Sequence, residues 1–393
     1  MTSPRPRPSA ATALAVALAL ATCGLTAVAA PAAAQEESLE ARLHDSTTIT
    51  SADYREGGLG RIVAQAAATA AFVDFARIGG ADRYATAAAL ATEAFPAGAT
   101  TAIVARGDLF PDALAGNYLA GAFSAPILLT RSGALPGVTA AALKELGVTN
   151  VVVVGGATAV SAGVEAELDV DYAVTRLGGA DRYATGRAVA AAALTQAGSI
   201  AELGGLRTAI VGSGQGFADI LAAGPISYAR NHPLLITRPA SLPAETAAFL
   251  TGNDVDQVVV VGGTVAVSAA VEAQIEALTG NDVVRFAGVD RFATATALAE
   301  AAYALFGFDR TKVDIARGDE PVGFADALAG GPSAGEDVAP IVLTLPNDLP
   351  VATKAFLAAN SDTLETGIVF GGPAAVSQVV VDEASAIARG PVA

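Results

Sequence analysis

Short β-branched runs and longer alanine-rich runs alternate along most of this chain. TAIVA (101–105), PILLT (126–130) and VVVVGG (151–156) have the length and unbroken apolarity of strands buried on both faces. The segments between them are Ala-rich and of helical length. Asp82, Asp181 and Asp290 stand after a glycine turn and before an alanine run, where a helix N-cap belongs. Ser161, Ser268 and Ser377 occupy the same kind of position before later helices. The order strand–helix–strand–helix predicts βαβ crossovers, an α/β fold with parallel-type sheets flanked by helices.

The pattern is written three times. GGADRYAT stands at 79–86 and 178–185, and AGVDRFAT at 287–294. Downstream come FPDALAG (110–116), FADILAAG (217–224) and FADALAG (324–330), their phenylalanines 107 residues apart in both intervals. APILLT (125–130), HPLLIT (232–237) and APIVLT (339–344) follow, each trailed by a Leu-Pro pair: Leu135-Pro136, Leu242-Pro243 and Leu349-Pro350. VVVVGGATAVS (151–161), VVVVGGTVAVS (258–268) and IVFGGPAAVS (368–377) close the units. Five motifs in one order, three times over, make three homologous modules. A strand-like stretch carrying Arg77, Arg176 or Arg285 precedes each first motif and places the modules at 72–170, 171–280 and 281–393. Residues 35–71 form a separate N-terminal segment, polar first and Ala-rich later, with 62–72 reading as a helix.

The first 34 residues read as a secretory signal peptide. Arg5 and Arg7 precede an uncharged apolar stretch at 11–30, and PAAAQ offers a cleavage site after Ala34. A retained anchor competes, since twenty apolar residues can span a bilayer, and so does lipoprotein processing at Cys23, the only cysteine. Cleavage leaves a chain without thiols and without a membrane span.

Charge narrows the partners. The chain carries 39 acidic and 23 basic residues, a net −16; with the leader's two arginines removed it is −18. No basic footprint for nucleic acid exists. Nearly all cations are arginine, with lysine only at 144, 312 and 354. The guanidinium fork suits carboxylate and phosphate, although GC-rich coding also favours arginine. His44 and His232 are the only histidines and fall in unrelated places, so neither a repeated Ser–His–Asp triad nor a His-rich zinc site is available. Asp82, Asp112 and their counterparts could form acid/base pairs, but each follows a turn and opens a helix, which is the use of a cap. DVD (169–171) and NDVD (253–256) fall at non-equivalent places and read as solvated loops without EF-hand spacing. No catalytic residue, metal or cofactor is expected.

What recurs with charge is a pair of arginines around the first motif: Arg77 with Arg83, Arg176 with Arg182, Arg285 with Arg291. An aromatic residue follows each second arginine, namely Tyr84, Tyr183 and Phe292. These nine residues are the candidate ligand-binding set. The competing reading is an Asp–Arg pair that locks a turn or joins modules, with the ring in the core. Arg106 and Arg317 give way to Ser213, and Arg131 and Arg238 to Leu345, so the three sites are unequal.

The ordered motifs R-x-G-G-x-D-R-Y-A-T, F-x-D-A-L-A-G, I-L-L and V-V-G-G-x-x-A-V-S resemble the cell wall-binding repeat type 2 family over nearly all of 77–385. The resemblance implies a secreted Gram-positive surface protein. Its three tandem modules, Toprim-like and arranged with pseudo-threefold symmetry, would attach non-covalently to an anionic wall polysaccharide or teichoic-type polymer. The family's Ile-Leu-Leu hallmark corresponds to Ile127-Leu128-Leu129, Leu234-Leu235-Ile236 and Ile341-Val342-Leu343, which read as buried strands. Wall binding without enzymatic activity is the leading expectation. The alternatives are an amidase-type peptidoglycan hydrolase, for which a His/Glu/His zinc set is missing, and a self-assembling surface-layer subunit.

Overall fold

The computed structural model describes residues 74–108, 111–216, 218–319 and 323–390, excluding the side chains of 111–113. The expected signal peptide, the segment 35–71 with its expected helix, His44 and the Asp112 side chain lie outside that description.

The first third contains β1 (Ala76–Ile78), α1 (Arg83–Ala94), β2 (Thr101–Arg106), α2 (Pro111–Phe123), β3 (Ile127–Thr130), α3 (Gly137–Glu145), β4 (Asn150–Val154), α4 (Ala162–Leu168) and β5 (Ala173–Leu177). The second holds α5 (Arg182–Ala197), β6 (Glu202–Leu203), β7 (Leu206–Ser213), a 3₁₀ turn (Leu221–Ala223), α6 (Gly224–Arg230), β8 (Leu234–Thr237), α7 (Ala244–Gly252), β9 (Gln257–Val261), α8 (Ala269–Thr279) and β10 (Val284–Phe286). The last holds α9 (Arg291–Leu305), β11 (Asp314–Arg317), α10 (Ala325–Glu336), β12 (Ile341–Thr344), α11 (Val351–Ala359), β13 (Ile368–Phe370) and α12 (Gln378–Ala388).

These strands make three sheets of one order. Sheet I runs β3-β2-β4-β5, sheet II runs β8-β7-β9-β10, and sheet III runs β12-β11-β13-β1. Every pairing is parallel except that of β6 on the start of β7. The fourth strand is the informative one. β5 pairs with β4, and β10 with β9, so each strand carrying Arg176 or Arg285 completes the sheet of the preceding module. β1, with Arg77, pairs with β13 nearly three hundred residues later and completes sheet III. Sequence module and sheet are therefore offset by one strand, and the beginning of the described chain closes on its end.

The helix after each such strand crosses to the next sheet. α1 packs on β3, α5 on β8 and α9 on β12. β3, β8 and β12 are edge strands, and every residue in them is buried. The Ile-Leu-Leu runs are thus packing elements, each in contact with the helix that crosses over from the preceding sheet.

A second set of contacts joins the modules at their centre, where α2, α6 and α10 pack on one another. Asn117, Gly224 and Gly331 hold one repeat position there. A Cβ on Gly331 would stand 2.0 Å from Asn117 Oδ1, and one on Gly224 would stand 3.2 Å from the same amide. One turn further, Gly121, Tyr228 and Gly335 share a position. A Cβ on Gly121 would stand 2.3 Å from the Tyr228 carbonyl oxygen, and one on Gly335 2.4 Å from the Tyr228 ring. Each layer has room for one side chain. The other two helices supply glycine, at about 1 kcal/mol of helix propensity apiece.

Candidate functional site: the junction clefts

The repeated eight-residue motif is the crossing between sheets, and almost every letter has a local task. A Cβ on its second glycine would stand 2.3 Å from Ala85 Cβ at Gly80, 2.4 Å from Ala184 Cβ at Gly179 and 2.3 Å from Ala293 Cβ at Gly288. Asp82 and Asp181 cap their helices as expected, each accepting from two backbone N–H groups at 2.9–3.0 Å; Asp290 accepts one at 2.8 Å. The closing threonine bends back. Oγ1 of Thr86, Thr185 and Thr294 accepts from the N–H of Gly80, Gly179 and Gly288 at 3.0–3.1 Å.

The arginine before the motif braces the Gly-Gly turn. Nη1 of Arg77, Arg176 and Arg285 donates to the carbonyls of Gly371, Gly155 and Gly262 at 2.8, 2.7 and 2.6 Å. Those glycines sit at φ 107°, 111° and 110°, a region closed to side chains without strain. Arg176 also pairs with Glu165 at 2.8 Å and Arg285 with Glu272 at 2.5 Å. The equivalent position in the third module is Val381, and there Arg77 Nη2 is buried with no hydrogen-bond partner. Desolvation accordingly lowers the Arg77 pKa. The structure directs these three arginines into the turn.

The second arginine and its aromatic neighbour divide between two tasks. Nη1 of Arg83, Arg182 and Arg291 donates to the carbonyls of Gly107, Gly214 and Gly318 at 2.7, 2.5 and 3.3 Å, each glycine lying in the module whose sheet the helix has just reached. Tyr84 and Tyr183 are buried. Their rings lie under guanidinium groups, Arg131 at 5.0 Å and Arg238 at 4.2 Å from the centroids. Phe292 is only half-buried, and Leu345 stands where the covering arginine would be. Losing the hydroxyl and losing the arginine coincide.

Beside the motif, the junction opens into a cleft. Between sheets III and I it measures about 350 Å³ and is lined by Arg83 and Thr86 from the motif, by Arg317, Phe324 and Asp326, and by the turn at 372–375. The Arg83 guanidinium lies 5.6 Å from the Phe324 ring centroid. Between sheets II and III the equivalent cleft measures about 510 Å³. Its lining includes Arg291, Ser213, Asp219, Pro239 and the turn at 263–266.

The F-x-D carboxylates depart from the helix caps that their sequence context implies. Asp326 instead lies within the first turn of α10, and Asp219 lies ahead of the 3₁₀ turn. A Cβ on Gly371 would stand 2.5 Å from Asp326 Oδ2, and one on Gly262 2.8 Å from Asp219 Oδ2, so these carboxylates help to impose glycine on the turn. Burial pushes Asp326 up to about 6 against the opposing pull of Arg83 and Arg317. The available signal was the recurrence of F-x-D beside a recurring Gly-Gly.

Other expectations resolve individually. Ser161 and Ser268 cap their helices through Val164 N–H at 3.3 Å and Val271 N–H at 3.4 Å. Ser377 makes no cap bond, and its Oγ is buried without a partner. His232, in the loop before β8, is buried, with Nδ1 2.9 Å from the Thr208 carbonyl and the ring edge-on to Phe306 at 5.3 Å. Desolvation lowers its pKa. Among the described residues no group of three or more His, Cys, Asp or Glu could hold a metal ion, and no helix is long and apolar enough to cross a membrane. The clefts therefore present guanidinium donors, carboxylate and carbonyl acceptors and glycine backbone, a lining suited to hydrogen-bonding a polar ligand.

Solved structures share this fold. Cwp6 from Clostridium difficile superimposes with a TM-score of 0.70 at 23% identity, covering 82% of this chain and 49% of that one. Cwp8 from Clostridium difficile gives 0.69 at 25% identity, with coverage of 80% and 52%. Among curated relatives, the N-acetylmuramoyl-L-alanine amidase LytC of Bacillus subtilis (strain 168) is 26% identical over 308 residues, spanning 78% of this chain and 57% of LytC. The amidase enhancer of the same organism is 30% identical over 282 residues, 71% of this chain and 36% of that protein. The chain thus spans little more than half the length of one relative and about a third of the other. Residues 77–165, 176–272 and 285–381 each match the family described as cell wall binding domain 2 (CWB2), and with three such segments the chain belongs to that family.

Proposed function

We propose that this protein is a secreted, non-enzymatic wall anchor whose junction clefts take up an anionic wall polymer. Its three modules would act as Toprim-like units around a pseudo-threefold axis. The observation that carries the reading is that Arg83 and Arg291, at one motif position, line equivalent clefts at two different junctions. Arg182 would serve the third. A repeating polymer meeting several weak sites on one rigid body is retained through effective concentration, with no single tight contact. Local guanidinium groups can do this within a strongly acidic protein, where an overall basic surface would bind indiscriminately. The relatives' names and the family description support wall attachment. The leader-like sequence at 1–34, with Arg5 and Arg7 before an apolar stretch, supports secretion.

The test replaces Arg83, Arg182 and Arg291 together by Gln and measures wall retention, its salt dependence and the melting temperature on the same preparation. Each lost charge-assisted hydrogen bond is worth about 1.5–3 kcal/mol, so the triple variant should lose retention while a single variant loses little. A folded triple variant that binds like the parent removes these arginines from the site. The name of LytC favours one second reading, an amidase; clearing of purified peptidoglycan in a zymogram by this chain alone would establish it and displace the anchor.

A further inference from the structure

The two described clefts are built from equivalent positions but differ in chemistry. Where the first and third modules have Arg106 and Arg317, the second has Ser213. At the tip of the Gly-Gly turn, Val265 replaces Thr158 and Ala374. Ahead of the motif's aspartate, Val289 replaces Ala81 and Ala180. All three changes fall in the lining of the cleft between sheets II and III, which is also the larger at about 510 Å³ against 350 Å³. Val265 is 92% exposed and Val289 99% exposed, so neither contributes to the core. One guanidinium has gone from this junction, and two methyl-bearing side chains stand at its lip.

From this difference we infer that the cleft between sheets II and III is a subsite for an acetamido sugar of the wall glycan. The inference rests on the wall-binding reading and names the chemistry of one of its clefts. A ligand that suits this lining needs a small apolar group close to both a hydrogen-bond donor and an acceptor. An acetamido group supplies its methyl to Val265 and Val289, its N–H to the Asp219 carboxylate and its carbonyl to the Arg291 guanidinium. Both are multivalent groups: a guanidinium carries five N–H donors, one of which goes to the Gly318 carbonyl at 3.3 Å in Arg291, and a carboxylate has about four acceptor sites. Ser213 is 1% exposed and its Oγ accepts from the N–H groups of Gln215 and Gly216 at 3.2 and 3.1 Å, so it braces the cleft wall and adds no charge to it. The cleft between sheets III and I has Arg317 and alanines at these positions. It remains the more cationic of the two.

The experiment uses the full mature chain with N-acetylglucosamine as probe and glucose as control. Saturation-transfer NMR should show the acetamido methyl as the strongest contact, and glucose should show none. The variant Val265→Ser with Val289→Ser, both at solvent-exposed positions, should keep the parental melting temperature and lose the methyl signal. Its wall retention at high salt should fall at least threefold, whereas the salt-sensitive component of retention stays as in the parent. That surviving component keeps a failure here distinct from a failure of anionic anchoring. Retention is measured on peptidoglycan stripped of secondary polymers and on the isolated secondary polymer. Valine-dependent binding to either supports the subsite and names its source. No methyl saturation in the parent, an undiminished signal in the double variant, or valine-independent retention on both preparations would overturn it.

Discussion

Replacing Gly331 by Ala probes the centre of the molecule. In an open helix the change would stabilise by about 1 kcal/mol, because alanine is the better helix former. Here the new Cβ would stand 2.0 Å from Asn117 Oδ1. The amide cannot step aside: Gly224 closes on it from the second helix, with its own hypothetical Cβ 3.2 Å away, and Asn117 is 1% exposed. Overpacking of this kind costs roughly 1–3 kcal/mol, so Gly331→Ala alone should destabilise by about 1–2 kcal/mol. Asn117→Ala alone should change little. It opens a small void and loses a long 3.4 Å bond to the Leu114 carbonyl, but it also removes Oδ1, a buried acceptor without a partner. The double variant has neither clash nor orphan oxygen and should be at least as stable as the parent. The coupling energy between the two changes should be about 2 kcal/mol. Urea denaturation of the four proteins at one pH gives each value from the midpoint and slope. If Gly331→Ala costs the same in the Asn117→Ala background as alone, the one-side-chain-per-layer account is wrong.

Asp314 supplies a pH test. It is 2% exposed and occupies the strand position that Ile103 and Ile210 fill in the other modules. Its Oδ1 accepts the Ile368 N–H at 2.9 Å, and burial pushes its pKa up to about 8. The folded state therefore binds the proton more tightly than the unfolded state, so this contribution is present at low pH and is lost as pH rises from about 4 to 8. Asp314→Asn keeps the acceptor and removes the titration; thermal denaturation against pH should flatten by several kcal/mol across that window, and parallel parent and variant curves would refute it. At the junction, Asp181→Ala should cost about 1–2 kcal/mol by freeing the Tyr183 and Ala184 N–H groups, read as a lower melting temperature. The triple Arg→Gln variant should lose wall retention, and the Val265/Val289 serine variant only its salt-resistant part, as set out with those proposals.

Much of this protein is legible in its sequence. Period and motif order are properties of the linear chain, so three α/β modules, buried Ile-Leu-Leu strands and aspartate caps at 82, 181 and 290 could be read directly. These features rest on interactions a few residues long, or on burial that alternates with local pattern. Nothing local says which sheet a strand joins. β5 and β10 complete the sheets behind them and β1 reaches forward to β13, because hydrogen-bond partners of a parallel strand are chosen across space. The same holds for the charges. Arg77, Arg176 and Arg285 look like Arg83, Arg182 and Arg291 in sequence, yet the first set braces a glycine turn while two of the second set line clefts. Asp326 reads as a helix cap until the fold sets it beside Gly371 and Arg83, more than two hundred residues away for the arginine. The repeat determined what each module is made of. Packing between the modules decided which side chains stabilise the crossing and which line the clefts, since both depend on surfaces that exist only after the three sheets have closed on one another.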